Sequence, residues 1–133
     1  MCTTKGLFCM KDKELRKNIN ILEHIKRYCE NIEEIHERFG NDIKAFMEDM
    51  VYEQSIAFNV MQIGELVAKL SDDYRAETRN IVPWTAIKGM RNVVVHSYGH
   101  IDKEILWDSS VDGISSLKDF CAKQIDDFDN RQE

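Results

Sequence analysis

Proline is almost missing from this chain. Pro83 is the only one, and glycine occurs six times in 133 residues. Domains built from many short strands use both residues freely at their turns, so this scarcity predicts a few long helices instead. No apolar run approaches the roughly 18 residues of a membrane span. The stretch MCTTKGLFCM at the start has a short apolar patch but lacks the apolar core of a secretory signal. Cysteine is sparse as well: Cys2, Cys9, Cys29 and Cys121 form no C-x-x-C pair and fit no zinc template. They read as free thiols in a reducing compartment, which makes cytoplasm the expected location. Surplus positive charge is also lacking. A formal net charge of −6 argues against a protein that coats nucleic acid non-specifically.

What is present is the composition of one globular domain, 43% hydrophobic and 32% charged, and long enough to bury a core. Residues 1–10 match no periodic pattern and read as a flexible extension, with Met10 as an alternative natural start. From Asp12 a single stripe of Leu15, Ile19, Leu22, Ile25, Ile32, Ile35 and Phe39 predicts a long amphipathic helix, with Tyr28 and Cys29 filling the gap. Gly40 is its stop signal and Asn41-Asp42 offers a fresh cap. A second long helix is predicted over residues 43–70, its stripe formed by Ile43, Phe46, Met47, Met50, Ala57, Phe58, Met61 and Leu66. Gly64 in its interior costs roughly 1 kcal/mol against Ala, and such a residue often permits a close helix contact. Gln62 and Glu65 are polar groups in an apolar neighbourhood, candidates to lie under a site. Ser71-Asp72-Asp73 caps a short helix over residues 73–80. Further helices are predicted over residues 103–109, capped by Asp102 with Ile105, Leu106 and Trp107 facing in, and over residues 112–128. Residues 129–133 are expected to fray. The architecture is all-α: a single helical domain over residues 11–128 whose first two helices form an antiparallel pair.

The chemistry gathers in one stretch, Pro83 to Tyr98. Pro83 marks a helix start. Trp84, Ile87, Met90 and Val94 give that helix an apolar face, and Gly99 is expected to end it. Set into the same element are Arg91, Asn92, His96 and Tyr98. An Arg offers phosphate a planar fork of donors, a His moves protons near neutral pH, and a Tyr hydroxyl can be modified. Asn92 and His96 are four apart and share a face, whereas Arg91 and His96 are five apart, about 140° around the axis. Two copies of the helix meeting across a two-fold axis bring these groups together better than one copy does. His96 and His100 also have the spacing of a two-His metal pair, but Gly99 lies between them and no nearby Cys supports a site, so no metal is expected. The segment 74–103 carries Arg75, Arg79, Lys88, Arg91 and Lys103 against Glu77 and Asp102, a local positive surplus in an acidic chain.

The string Trp84-x-x-Ile87-x-Gly89-Met90-Arg91-Asn92-x-x-Val95-His96-x-Tyr98 resembles the signature of HepT-like HEPN toxins, whose core is R-x4-H-x-Y. Ile63-Gly64-Glu65, Gly99-His100-Ile101-Asp102 and Ile105-Leu106-Trp107 are similar to the family pattern too, so the resemblance runs from about Met10 to Ile125. It implies a HEPN bundle of four to five helices that forms a homodimer through the motif helices. It implies a metal-independent ribonuclease toxin that needs no cofactor and acts on RNA rather than DNA. It also implies a partner, an MNT-type nucleotidyltransferase antitoxin that silences the toxin by transferring AMP onto the motif tyrosine, here Tyr98. Arg91 and His96 are then the catalytic residues and Asn92 supports them. The competing expectation is a non-catalytic HEPN module that binds nucleotide or docks its partner, with Arg91 gripping a phosphate and His96 structural. A purely structural helical dimer stands third.

Overall fold

The computed structural model describes residues 12–95 and 102–132, and among them every regular element is a helix. These are α1 (Asp12–Arg38), α2 (Ile43–Glu48), α3 (Met50–Lys69), α4 (Asp72–Thr78), α5 (Trp84–Val95), α6 (Lys103–Val111) and α7 (Ile114–Arg131). The segment preceding α1, together with His96, Tyr98, Gly99 and His100, lies outside the described residues.

Helix α1 follows the expected stripe. Leu15, Ile19, Leu22, Ile25, Cys29 and Ile32 are buried. Gly40 and Asn41 both adopt positive φ, +79° and +54°, and turn the chain back on itself. Helix α3 then runs antiparallel to α1. Tyr52 meets His36, Asn59 meets Asn31, Gln62 meets Tyr28, and Ser71 just beyond α3 meets Asn18. Asn18 is buried and answers Ser71 twice, donating to its Oγ and accepting from its backbone N–H, both at 3.0 Å. Helix α7 lies antiparallel on the other flank of α1, with Lys118 bound to Glu33 at 2.7 Å near one end and Arg16 over the Phe128 ring at the other. Helix α3 is thus central, packed between α1 and α5.

The second long helix expected over residues 43–70 is two helices. Asp49 leaves the helical region, with φ −101° and ψ 109°, and its carboxylate accepts from the N–H groups of Val51 and Tyr52. An Asp gains more as a cap than in a helix interior, so the chain breaks and restarts here. Beyond the break the expected stripe holds at Ala57 and Leu66 but not at every position. The buried positions of α3 are Tyr52, Ile56, Ala57, Asn59, Val60, Ile63, Gly64 and Val67, whereas Met50 and Phe58 are exposed. The other helix boundaries follow from caps. Pro83 precedes α5, its carbonyl closing the first turn with the Ile87 N–H. Ser71 caps α4 as expected, accepting from Tyr74 N–H. Asp102 caps α6 through the Ile105 N–H, but Ile105 itself faces solvent while Leu106 is buried. Helix α7 begins after Gly113, whose φ of +81° suits a residue without Cβ, and continues to Arg131.

One buried group escaped the sequence reading. His36 lies in the core with Nδ1 against the Tyr52 hydroxyl and Nε2 at 2.9 Å from Ser110 Oγ, packed edge-on to Tyr52 and Trp107. The Ser110 hydroxyl donates to the Trp107 carbonyl. It therefore accepts from Nε2–H, and Tyr52 donates to Nδ1. Both partners suit the neutral ring, and burial holds its pKa below the ordinary 6.5. Unfolded chains take up this proton more readily than folded ones, so His36 contributes stability above pH 6.5 that is lost as pH falls towards the folded value. We expect the urea midpoint to drop as pH falls below 6.5, and the slope to flatten in His36→Asn. An equal slope in both proteins contradicts the assignment.

Candidate functional site

Helix α5 is fastened before its polar residues begin. Trp84, its first residue, donates from Nε1 to Thr78 Oγ1 at 2.8 Å, and Thr78 in turn donates to the Tyr74 carbonyl. The Trp84 ring packs edge-on against Phe120 of α7. Trp84 and Ile87 are buried, and Met90 and Val94 pack on the core, which is the apolar face expected from the spacing.

That face turns Arg91 onto Gly64 of α3. A Cβ built on Gly64 stands only 2.8 Å from Arg91 Cβ and 3.4 Å from Arg91 N, so the helices touch here because position 64 has no side chain. One residue on, Glu65 places Oε1 3.0 Å from Arg91 Nε. The pair is partly exposed, at 33% for Arg91 and 46% for Glu65, so it adds little to stability. Its consequence is orientation. Nε is inaccessible to water, and its N–H is not aimed well enough at Glu65 to count as a hydrogen bond. The guanidinium is therefore held along one edge by charge, while its terminal nitrogens make no hydrogen bond to a described residue. A cation fixed on rigid helices with its fork left over is suited to a tetrahedral anion such as phosphate.

The sequence-predicted residues divide as follows. Arg91 and Asn92 are on α5, Asn92 exposed and Arg91 half-buried. Glu65 lies under the site and Gln62 does not, since its amide donates instead to the Tyr28 hydroxyl at 3.3 Å. His96 and Tyr98 fall outside the described residues. The buried thiols take no part. Burial pushes Cys29 up to about 12 and raises Cys121 as well, which keeps both as unreactive thiols. Among the described residues no three His, Cys, Asp or Glu side chains are grouped to hold a metal ion. No described helix is long and apolar enough to cross a membrane. An apolar groove of about 500 Å³, lined by Ile81, Ile87, Met90, Leu117 and Phe120, runs along the flank of α5 away from Lys88 and offers little for catalysis.

Comparison with known proteins agrees with the motif. The family described as Ribonuclease HepT-like matches residues 25–124. A protein of Caldanaerobacter subterraneus subsp. tengcongensis named "Putative RNase" is 32% identical over 97 residues, covering 73% of this chain and 84% of its own. One of the same name from Methanocaldococcus jannaschii is 29% identical over 88 residues, covering 59% of this chain and 80% of its own. The "Probable ribonuclease HepT" of Thermococcus cleftensis is 27% identical over 106 residues, covering 77% and 91% respectively. No solved structure gives a significant match.

Proposed function

Since the chain belongs to the HepT-like ribonuclease family, we propose that it is a metal-independent endoribonuclease toxin, neutralised by a nucleotidyltransferase antitoxin that adds AMP to Tyr98. The observation that carries this reading is the setting of Arg91. It is seated on Gly64 and braced at Nε by Glu65, and its fork, which makes no hydrogen bond to a described residue, suits a scissile phosphate. In the proposed reaction a ribose 2′-OH attacks phosphorus, and the 5′ oxygen of the next nucleotide leaves. Arg91 stabilises the charge that builds on the phosphoryl oxygens. His96 takes the 2′-OH proton or gives one to the leaving oxygen, and in a homodimer joined through the α5 helices the two copies divide these tasks. Asn92, exposed on the flank of α5, orients the phosphate or the imidazole. Acid–base work of this kind needs no metal ion, because the proton transfers and the charge stabilisation both come from side chains.

In this reading an adenylyl group on Tyr98 adds a bulky anion that competes with RNA for the Arg91 fork. Expressed with an active partner nucleotidyltransferase, the protein is expected to gain mass in whole AMP units, and Tyr98→Phe is expected to gain none. A gain that persists in Tyr98→Phe moves the modification to another residue. No gain with a demonstrably active partner leaves inhibition by complex formation alone.

A further inference from the structure

The function proposed above uses one end of α5, and a second feature occupies the other. A groove of about 710 Å³ runs between α4 and the first turns of α5, with Arg75, Arg79 and Lys88 along it and Asp72 as its lone carboxylate. Asp72 is already taken by Arg75 at 2.6 Å. Arg79 and Lys88 are exposed, and among the described residues neither has an ion-pair partner. The start of α5 opens into the same groove at Pro83 and Thr85, adding the positive end of its dipole. The chain as a whole carries −6, so two unneutralised cations lining a concavity are a departure from the average surface.

Their position relative to Arg91 is what gives the groove a use. Lys88 precedes Arg91 by one turn, about 4.5 Å along the axis, and precedes Asn92 by four residues, on the same flank. Arg79 and Lys88 thus share the groove, and Lys88 leads from it along α5 to Arg91 and Asn92 at three- and four-residue steps. We propose that this groove is a binding track for the phosphate backbone of single-stranded RNA and leads the strand to Arg91. The proposal rests on the ribonuclease reading and deepens it: the substrate is held for more than one nucleotide on one side of the cut. The contacts are to phosphate, so the track holds the strand without reading its bases.

The test is the double variant Arg79→Ala/Lys88→Ala, two exposed changes that leave the core untouched. Binding is read by fluorescence anisotropy on a 2′-O-methyl single-stranded RNA, which lacks the attacking hydroxyl and stays intact. Two lost phosphate contacts are expected to lower the steepness of log K against log salt by about 1.4, at roughly 0.7 per contact. On ordinary RNA, KM is expected to rise with kcat unchanged, and Arg79→Lys/Lys88→Arg is expected to keep the salt slope. An unchanged slope overturns the track, as does wild-type protein that shows no salt-dependent binding. Loss of nucleotidyltransferase binding with RNA affinity intact also overturns it and assigns the groove to that protein. Failure of the ribonuclease reading is seen separately, as wild-type protein that binds RNA without cutting it.

Discussion

His96→Ala is expected to lower RNA cleavage by about 10²- to 10⁴-fold, the usual worth of a positioned acid–base group, with melting temperature and self-association unchanged. His has the one side chain whose ordinary pKa lets it both accept and donate near neutral pH. If two copies share the roles, mixing His96→Ala with wild-type subunits gives a sharper result: heterodimers lose one of the two proton transfers and are impaired beyond simple dilution. Arg91→Ala is expected to fail differently. It removes charge stabilisation and phosphate binding together, so kcat falls and KM rises. Cleavage that survives His96→Ala, with contaminating nuclease excluded, removes His96 from the proposed acid–base role, whereas wild-type protein that binds nucleotide and leaves RNA intact is the result expected of a nucleotide-binding or partner-docking module.

The second large effect is expected at Gly64, which touches no substrate. Replacing an interior helix Gly by Ala normally stabilises by about 1 kcal/mol. Here the new Cβ meets Arg91 Cβ at 2.8 Å, and that atom is tied to the backbone and cannot swing aside. The helices must part, and overpacking of this kind costs about 1–3 kcal/mol. Gly64→Ala is therefore expected to be neutral to destabilising, and Gly64→Val strongly destabilising. The functional loss should exceed the structural one. A shift of about 1 Å in Arg91 is enough for roughly 10²-fold in rate. Gly89 provides the contrast. It lies on α5 two residues before Arg91, and a Cβ there meets nothing within 4 Å. Gly89→Ala is expected to raise stability by up to about 1 kcal/mol. Thermal melts and cleavage rates of the two Ala variants check both statements, and equal behaviour at the two positions contradicts the close-contact account.

Much of this was legible from residue order alone. The α1 stripe, the caps at Ser71 and Asp102, the start of α5 beside Pro83 and the apolar face of α5 all follow from local rules that tertiary packing did not override. Gly64 and Glu65 also stood out, one as a helix-interior Gly and one as a carboxylate among apolar residues, and both meet Arg91. The break at Asp49 did not stand out, because an apolar pattern continues across it. Only the capping preference of Asp distinguishes position 49, and of the stripe assigned across it Ala57 and Leu66 pack on the core in α3 whereas Met50 and Phe58 are exposed. His36 had a readable signal, for it continues the run Ile25, Cys29, Ile32 at three- and four-residue steps. The groove at Arg79 and Lys88 required the fold, since Arg79 caps the end of α4 while Lys88 lies on α5, and the bonds of Ile81, Val82 and Trp84 to Thr78 fold the connection between those helices.

The most direct test of the central claim is RNA cleavage by the purified wild-type protein, free of any nucleotidyltransferase, in excess EDTA. Cleavage that persists in EDTA and is absent from His96→Ala and Arg91→Ala preparations is the predicted result. RNA left intact by protein that is folded, and whose Tyr98 carries no AMP by mass, contradicts it.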